Sequence, residues 1–454
     1  MIIAFHQGMK MHLFETFRLK FEKPDWSRNP EFGLLDTLLD QHPELIKIAA
    51  QDVLRGCLQS DFGRQDMPSV EQIVRAAIYK EMKGLDYREL EYAQSDSRIC
   101  EQFVKLDNRH PFSFQVFQKY ISKISEDSLQ QVLVSLNRIA IGEGLEDVNQ
   151  LRQDSTVVET NIHYPTNNSL VWDCIKDSHR LLSQLAEEVK DLDYRDYTKD
   201  AKKTFFKINN TRSGNKRIDL FNKQLITFTK CINQVANVVK KKPGCSMSAL
   251  ILIGELKKLL PLMEKVYDIA WRKQINGECV PNDEKIFSIY EQHTDIIVKG
   301  QREVQFGHKI NLTSGRSSLI LSCEVLRGNP SDSTLYQNTI NKIVNDYQIV
   351  PRDSVTDGGY ASKGNAEYAQ EKGIANIVFN KIVGSLKNIV SSKNMETRLK
   401  KWRSGIEAVI SNLKRGYQLF RCNWKGEAHF KQKVLWSVVA YNIRVMTAAV
   451  VALL

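Results

Sequence analysis

Segments that favour extended backbone fall in two separate parts of this chain, and a long helical stretch divides them. The first part is residues 148–162, with the β-branched run Thr156-Val-Val. The second opens at Glu303-Val-Gln-Phe-Gly-His-Lys-Ile-Asn-Leu312 and resumes at Leu319-Ile-Leu-Ser-Cys-Glu-Val-Leu326. Gly315 between these two runs predicts an antiparallel hairpin. A helix over 333–347 follows, then a short strand ending at Asp357, a helix over 362–372, a strand over 374–379 and a long helix over 396–417. Strand, hairpin, helix, strand, helix, strand, helix is the order of a mixed α/β layer.

The regions before and between the strand-forming segments read as helix. Ser69-Val-Glu-Gln72 is a capping box, because the Ser and Gln side chains can satisfy each other's backbone donors at a helix start. Ile73, Val74, Ala77 and Ile78 line one face, and Gly84 offers a stop. Asp86-Tyr-Arg-Glu89 opens a second helix in the same way, and a third follows Pro111-Phe-Ser113 and carries Gln118, Lys119 and Lys123. Short helices in this order suit either a helix-turn-helix or a plain bundle. Residues 169–291 are helical again and basic in places. Lys199, Lys202, Lys203, Lys207, Arg212, Lys216 and Arg217 surround Phe205-Phe206, which suits either a solvated face or contact with DNA. Lys240-Lys-Lys242 precedes the turn signal Pro243-Gly244.

Composition narrows the class. Lys and Arg (64) exceed Asp and Glu (53), giving a formal charge of +11, which suits a polyanionic partner without requiring one. The eight cysteines are scattered and form no C-x-x-C pair, which argues against a zinc site. No signal-peptide pattern opens the sequence, and a reducing cytoplasm is expected. Residues 434–454 are strongly apolar but carry Asn442 and Arg444 near the middle, so a core-packed terminal helix is expected rather than a membrane span.

Three acidic residues stand out chemically. Asp154 and Asp357 are expected at strand ends, Asp357 before the pair Gly358-Gly359, which lets backbone turn and a phosphate or metal approach. Glu407 is expected on the long helix. Arg403, Glu407, Ser411 and Lys414 would share one of its faces, with Trp402, Ile406, Val409, Ile410 and Leu413 on the apolar one. That stripe fits a surface salt-bridge ladder. It fits equally an acid on a metal with its neighbouring bases on DNA phosphates. Carboxylates brought together can hold two divalent cations, which activate an attacking oxygen and stabilise a leaving one at a phosphodiester.

The segment Asp154-Ser-Thr-Val-Val-Glu-Thr-Asn-Ile-His-Tyr-Pro165 resembles the first catalytic block of bacterial insertion-sequence transposases of the DDE type, and is most similar to the group called ISNCY. Asn282-Asp-Glu-Lys-Ile-Phe-Ser-Ile-Tyr-Glu-Gln-His-Thr-Asp295, Val304-Gln-Phe-Gly-His-Lys309, Thr356-Asp-Gly-Gly-Tyr360 and Arg421-Cys-Asn-Trp-Lys-Gly426 resemble that group too. The helical block around residues 68–106 is similar to its amino-terminal domain. Arg403, Glu407 and Lys414 match a tyrosine–arginine–glutamate–lysine signature in spacing, although the tyrosine place holds Lys400.

The resemblance implies a ribonuclease-H-like mixed-sheet core with Asp154, Asp357 and Glu407 as catalytic residues and metal ligands. It implies two Mg²⁺ ions, with Mn²⁺ as a substitute. Arg403, Lys414, Lys400, Lys202, Lys203 and Lys207 are the expected DNA contacts. His293, Asp295, His308, Lys309 and Asp332 are secondary candidates. The expected division is a helical, DNA-binding 1–147, a catalytic core from 148–168 and 292–433, a helical insertion 169–291 and a terminal helix 434–454. Expected partners are terminal inverted repeats and target DNA, with a homodimer in the synaptic complex, in the bacterial cytoplasm at the nucleoid. The alternative is an inactive or domesticated relative that binds DNA without cutting it.

Overall fold

The computed structural model describes residues 13–14, 26–27, 29–57, 67–106, 110–190, 192–212, 214–244, 246–299, 303–382 and 385–452. The chain divides into two compact units, residues 1–160 with 297–454, and residues 161–296.

The first unit opens with α1 (Pro30–Gln41), α2 (Glu44–Val53), α3 (Val70–Lys83), α4 (Tyr87–Asp96), α5 (Arg98–Val104), α6 (Phe114–Ile121) and α7 (Glu126–Gly142). Both expected capping boxes form. Ser69 accepts from the Gln72 N–H while Gln72 accepts from the Ser69 N–H, and Asp86 and Glu89 do the same. Gly84 ends α3 in the left-handed conformation. Lys123 lies just beyond α6 rather than on it, because the helix closes at Ile121.

Then β1 (Gln150–Thr160) enters the sheet. The second unit follows with α8 (Asn167–Glu188), α9 (Thr198–Asn209), α10 (Asn215–Lys241) and α11 (Met247–Gln274). These helices bury a core of their own that includes Leu182, Phe228, Leu256 and Met263. As the sequence predicts, α10 stops at the lysine run, with Lys242 left-handed ahead of Pro243-Gly244.

The remaining elements are β2 (Asp295–Lys299), β3 (Glu303–Ser314), β4 (Ile320–Val325), α12 (Asp332–Tyr347), β5 (Asp353–Asp357), a 3₁₀ turn (Gly358–Tyr360), α13 (Lys363–Glu371), β6 (Asn376–Asn380), α14 (Lys393–Arg403), α15 (Gly405–Gly416), β7 (Arg421–Cys422) and α16 (Glu427–Val451). The sheet order is β2-β3-β1-β5-β6, with β4 on β3 and β7 on β1. Strand β1 is central. It runs antiparallel to β3 from Arg152↔Ser314 to Glu159↔Gly307, and parallel to β5 from Gln150↔Asp353 to Gln153↔Thr356. The β3–β4 hairpin turns around Gly315, as expected. This is a mixed α/β layer compatible with a ribonuclease-H-like core.

Alternation along β1 sends side chains to opposite faces. Leu151 packs with Tyr336, Ile340 and Phe379 on the α12 side. Val158 packs with Val409, Leu413 and Val434 on the α15–α16 side. Helix α16 is largely buried in the core of the first unit. It is long and apolar enough to cross a membrane, yet 67% of its most apolar window is buried. Its Asn442 is fully buried and answers the polar groups around it. It accepts from the Ile320 N–H at 2.9 Å and donates to Ile320 O at 2.8 Å and Asn137 Oδ1 at 2.9 Å.

The expected single helix over 396–417 is two helices, broken at Ser404. The cause lies in the strand below. The Arg152 guanidinium reaches up from β1, stacks on Trp402 at 4.8 Å and donates from Nη1 to the Trp402 carbonyl at 3.1 Å. A Cβ at Gly405 would collide with that guanidinium, its Cζ only 2.8 Å away. A side chain inserted beside a Ser-Gly step is a recognised origin of a helix kink.

Candidate active site

Asp154 and Asp357 come together through sheet register. They stand on the adjacent parallel strands β1 and β5, one step past the last register pair, Gln153↔Thr356. Asp154 shares its face with Arg152 and Val158, and Asp357 shares its face with Val355, which packs on Leu399 of α14. Gly358 follows Asp357 where the chain passes the end of β6. A Cβ there would lie 2.7 Å from the carbonyl oxygens of both Asn380 and Lys381. The glycine the sequence offered as a turn residue is therefore needed for close approach.

Arg403 joins the acids. At the end of α14 it is 7% exposed. Its Nη2 donates to Asp154 Oδ2 at 2.6 Å and lies 3.8 Å from Asp357 Oδ1, and its Nη1 donates to Glu407 Oε1 at 3.0 Å. Two strand carboxylates and one helix carboxylate thus face a single guanidinium. Their exposures differ: 19% for the Asp154 side chain, 43% for Asp357 and 65% for Glu407. The strongest of the three contacts is the buried pair with Asp154, where solvent screens least.

Other expected residues have different partners. Lys400 pairs with Glu396 at 2.6 Å. Lys414 sits with its ammonium 5.8 Å from the Phe420 ring. Asp332 borders the site, its Oδ2 3.0 Å from where a Gly359 Cβ would be, and its Oδ1 lies 2.6 Å from Lys309 Nζ. His308 is buried and turns Nδ1 toward Leu326 O at 3.3 Å, with its ring edge-on to Phe430. In the second unit, His293 Nε2 lies 2.7 Å from Glu291 Oε2, and Asp295 opens β2. Lys202, Lys203 and Lys207 are exposed on α9, beside an exposed Phe206 and a Phe205 that stacks on Trp172.

Sequence reasoning gave no role to two residues that shape the site. Arg152, two residues before Asp154 and so on the same face, is 4% exposed and also donates to Ser314 Oγ at 2.9 Å and Ser318 Oγ at 2.7 Å. Burial pulls its pKa below the usual arginine value. Its signal was the Arg-Gln-Asp spacing within a strand. Tyr360 closes the Asp-Gly-Gly-Tyr motif and is fully buried. Its hydroxyl donates to Asn311 Oδ1 at 3.0 Å, which also accepts from Gln153 Nε2 at 3.0 Å. Burial first, then the negative fields of Asp332, Asp154 and Asp357, push the Tyr360 phenol above its ordinary range. It stays protonated and ties the turn after Asp357 to β3.

The donor set at Arg403 is carboxylate oxygen, the chemistry preferred by Mg²⁺. Among the described residues, no three His, Cys, Asp or Glu side chains are close enough together to hold a metal ion. The guanidinium occupies the centre on which the three acids converge.

Residues 283–443 match the family model described as Transposase DDE domain, which supports a DDE-type transposase. The match includes Asp357 and Glu407 and stops short of Asp154. No curated protein matches the chain. No solved structure matches it either.

Proposed function

We propose that this protein is a DDE transposase that binds the ends of an insertion sequence of the ISNCY type and performs metal-dependent cleavage and strand transfer. The observation that carries the reading is the convergence of Asp154, Asp357 and Glu407, from two neighbouring strands and a helix, on one guanidinium. Asp154, Asp357 and Glu407 would hold two Mg²⁺ or Mn²⁺ ions, which supply Lewis-acid activation of the attacking and leaving oxygens.

The chain's own residues do the rest. Arg403 offsets one of the three carboxylate charges in the DNA-free protein and must release at least part of that contact for a cation to enter. The freed guanidinium, with its planar fork of donors, then suits a DNA phosphate. Lys414 and Lys400 flank it on the same pair of helices and add charge along the backbone path. Tyr360 and Arg152 hold the two sides of the site in place, the turn after Asp357 and the break before Glu407. Residues 1–147 are assigned to end recognition and 148–168 with 292–433 to the catalytic core. In the insertion 169–291, Lys202, Lys203 and Lys207 are assigned to the DNA backbone. Residues 434–454 are assigned to core packing, and two copies act together at paired ends.

The test uses a supercoiled plasmid carrying the inverted repeats that flank the gene. Nicking that needs Mg²⁺ and those ends supports the reading. Sequence-specific retention of the same DNA with no cleavage under any divalent metal would replace it with a DNA-binding role.

A further inference from the structure

A second site lies apart from the carboxylates, in the first unit. A cavity of about 560 Å³ opens between α3–α4, α6 and the segment around β7 and α16. That volume is in the range that encloses a small organic ligand. Its floor is unusual in charge. Lys80 and Lys433 are 4% and 7% exposed, and both pair with one carboxylate, Glu81, itself 3% exposed. Lys433 spends its three donors on Glu81, the Tyr417 carbonyl and Ser437 Oγ, whereas Lys80 donates to Glu81 at 2.9 Å and keeps donor capacity for an anion.

The wall is aromatic. Tyr87 and Trp424 lie against each other with centroids 5.7 Å apart. The Lys80 ammonium is 5.0 Å from the first ring centroid and 5.4 Å from the second. The Tyr87 hydroxyl is buried and has no hydrogen-bond partner among the described residues. The rim adds Lys425 and His429, with Arg421, which pairs with Glu159 at 2.8 Å, and Asp86, which is engaged in capping α4. Anion below, planar group against the wall and further negative charge at the mouth describe one class of ligand.

We propose that this cavity binds a nucleotide, its phosphate answering Lys80 and Lys425 and its base resting on the Trp424–Tyr87 wall. The nucleotide is free, or it is an unpaired unit of a DNA strand. The second source rests on the transposase reading.

The test follows tryptophan fluorescence of the full chain on adding dAMP, a short single-stranded oligonucleotide or a blunt duplex of the same sequence, with inorganic phosphate as competitor. Trp424→Phe identifies which of the six tryptophans reports, and Lys425→Glu alters the exposed rim. We expect saturable quenching that phosphate reverses, that Trp424→Phe abolishes and that weakens about tenfold in Lys425→Glu. Response to dAMP alone assigns the free nucleotide, and a stronger response to the single strand assigns DNA. Absence of saturable quenching by any nucleotide, or an identical response in Trp424→Phe, overturns the proposal. So does binding of duplex alone that Lys425→Glu leaves unchanged. Lost nucleotide binding with intact plasmid nicking would remove this site and keep the cleavage reading. Nucleotide binding without nicking would do the reverse.

Discussion

Arg403 faces three carboxylates of very unequal exposure, and that inequality decides what each substitution does. Glu407 is mostly in solvent, so its pair with Arg403 contributes no more than about 1 kcal/mol. Glu407→Gln should therefore leave the melting temperature nearly unchanged while abolishing strand cleavage. Normal turnover would move the third ligand elsewhere, with Asp332 beside Gly359 the first place to look. Asp154 is different, because Asn there leaves a buried guanidinium undercompensated. A loss of about 1–3 kcal/mol is expected by denaturant unfolding, in addition to lost cleavage. Arg403→Ala removes the cation that competes for the site. In the DNA-free protein it should bind Mn²⁺ several-fold more tightly, read by electron paramagnetic resonance, while forming fewer end complexes in a gel shift. Equal or weaker Mn²⁺ binding would mean that the guanidinium does not occupy the metal position. The three acids were legible as residue types in distinctive settings. Arg403 as their common partner was not, because helical periodicity placed it on a stripe with Glu407 and carried no information about β1 and β5.

At the scale of elements, the sequence marked starts and stops well and missed the break at Ser404. Capping boxes at Ser69 and Asp86, the stop at Gly84 and the hairpin at Gly315 are local chemistry, decided within a few residues. The α14–α15 break is decided by Arg152, some 250 residues earlier, and only the three-dimensional register of β1 exposes it. Gly405→Ala should accordingly cost about 1–3 kcal/mol through overpacking against Arg152 and slow cleavage, even though alanine favours helix. A more stable Gly405→Ala protein would contradict this origin of the break. The start of β5 carries a pH dependence. Burial alone would raise the Asp353 carboxyl, but hydrogen bonds from Arg352, Asn376 and Gln150 outweigh it and hold the group below the usual carboxylate range. Stability from a lowered carboxylate is present above the unfolded pKa and is lost as pH falls through the folded one. The wild type should weaken below about pH 4, and Asp353→Asn, less stable at neutral pH, should lose less across that window.

For the whole molecule, the sequence exposed the interruption between β1 and the rest of the sheet, because strand-forming and helical composition alternate in blocks. It did not expose how closely the amino-terminal helices join the core. Helix α16 packs on α1, α3 and α7 as well as on β4, so a fragment of residues 60–125 alone would lack the surface that covers α3. The second unit has its own core, and residues 161–296 expressed alone should melt cooperatively. If α9 contacts DNA, reversing Lys199, Lys202, Lys203 and Lys207 together should flatten the salt dependence of binding by a slope of up to about 3–4. An unchanged slope would return that face to solvent. The central claim, that the carboxylates around Arg403 perform metal-dependent DNA cleavage, is tested most directly at Asp357. It is half exposed and 3.8 Å from the guanidinium, so its loss disturbs the fold least among the two strand acids. Nicking and gel-shift of inverted-repeat DNA should be measured on one preparation of Asp357→Asn. End binding within a few-fold of wild type and no Mg²⁺-dependent nicking are expected. Nicking at the wild-type rate would contradict it.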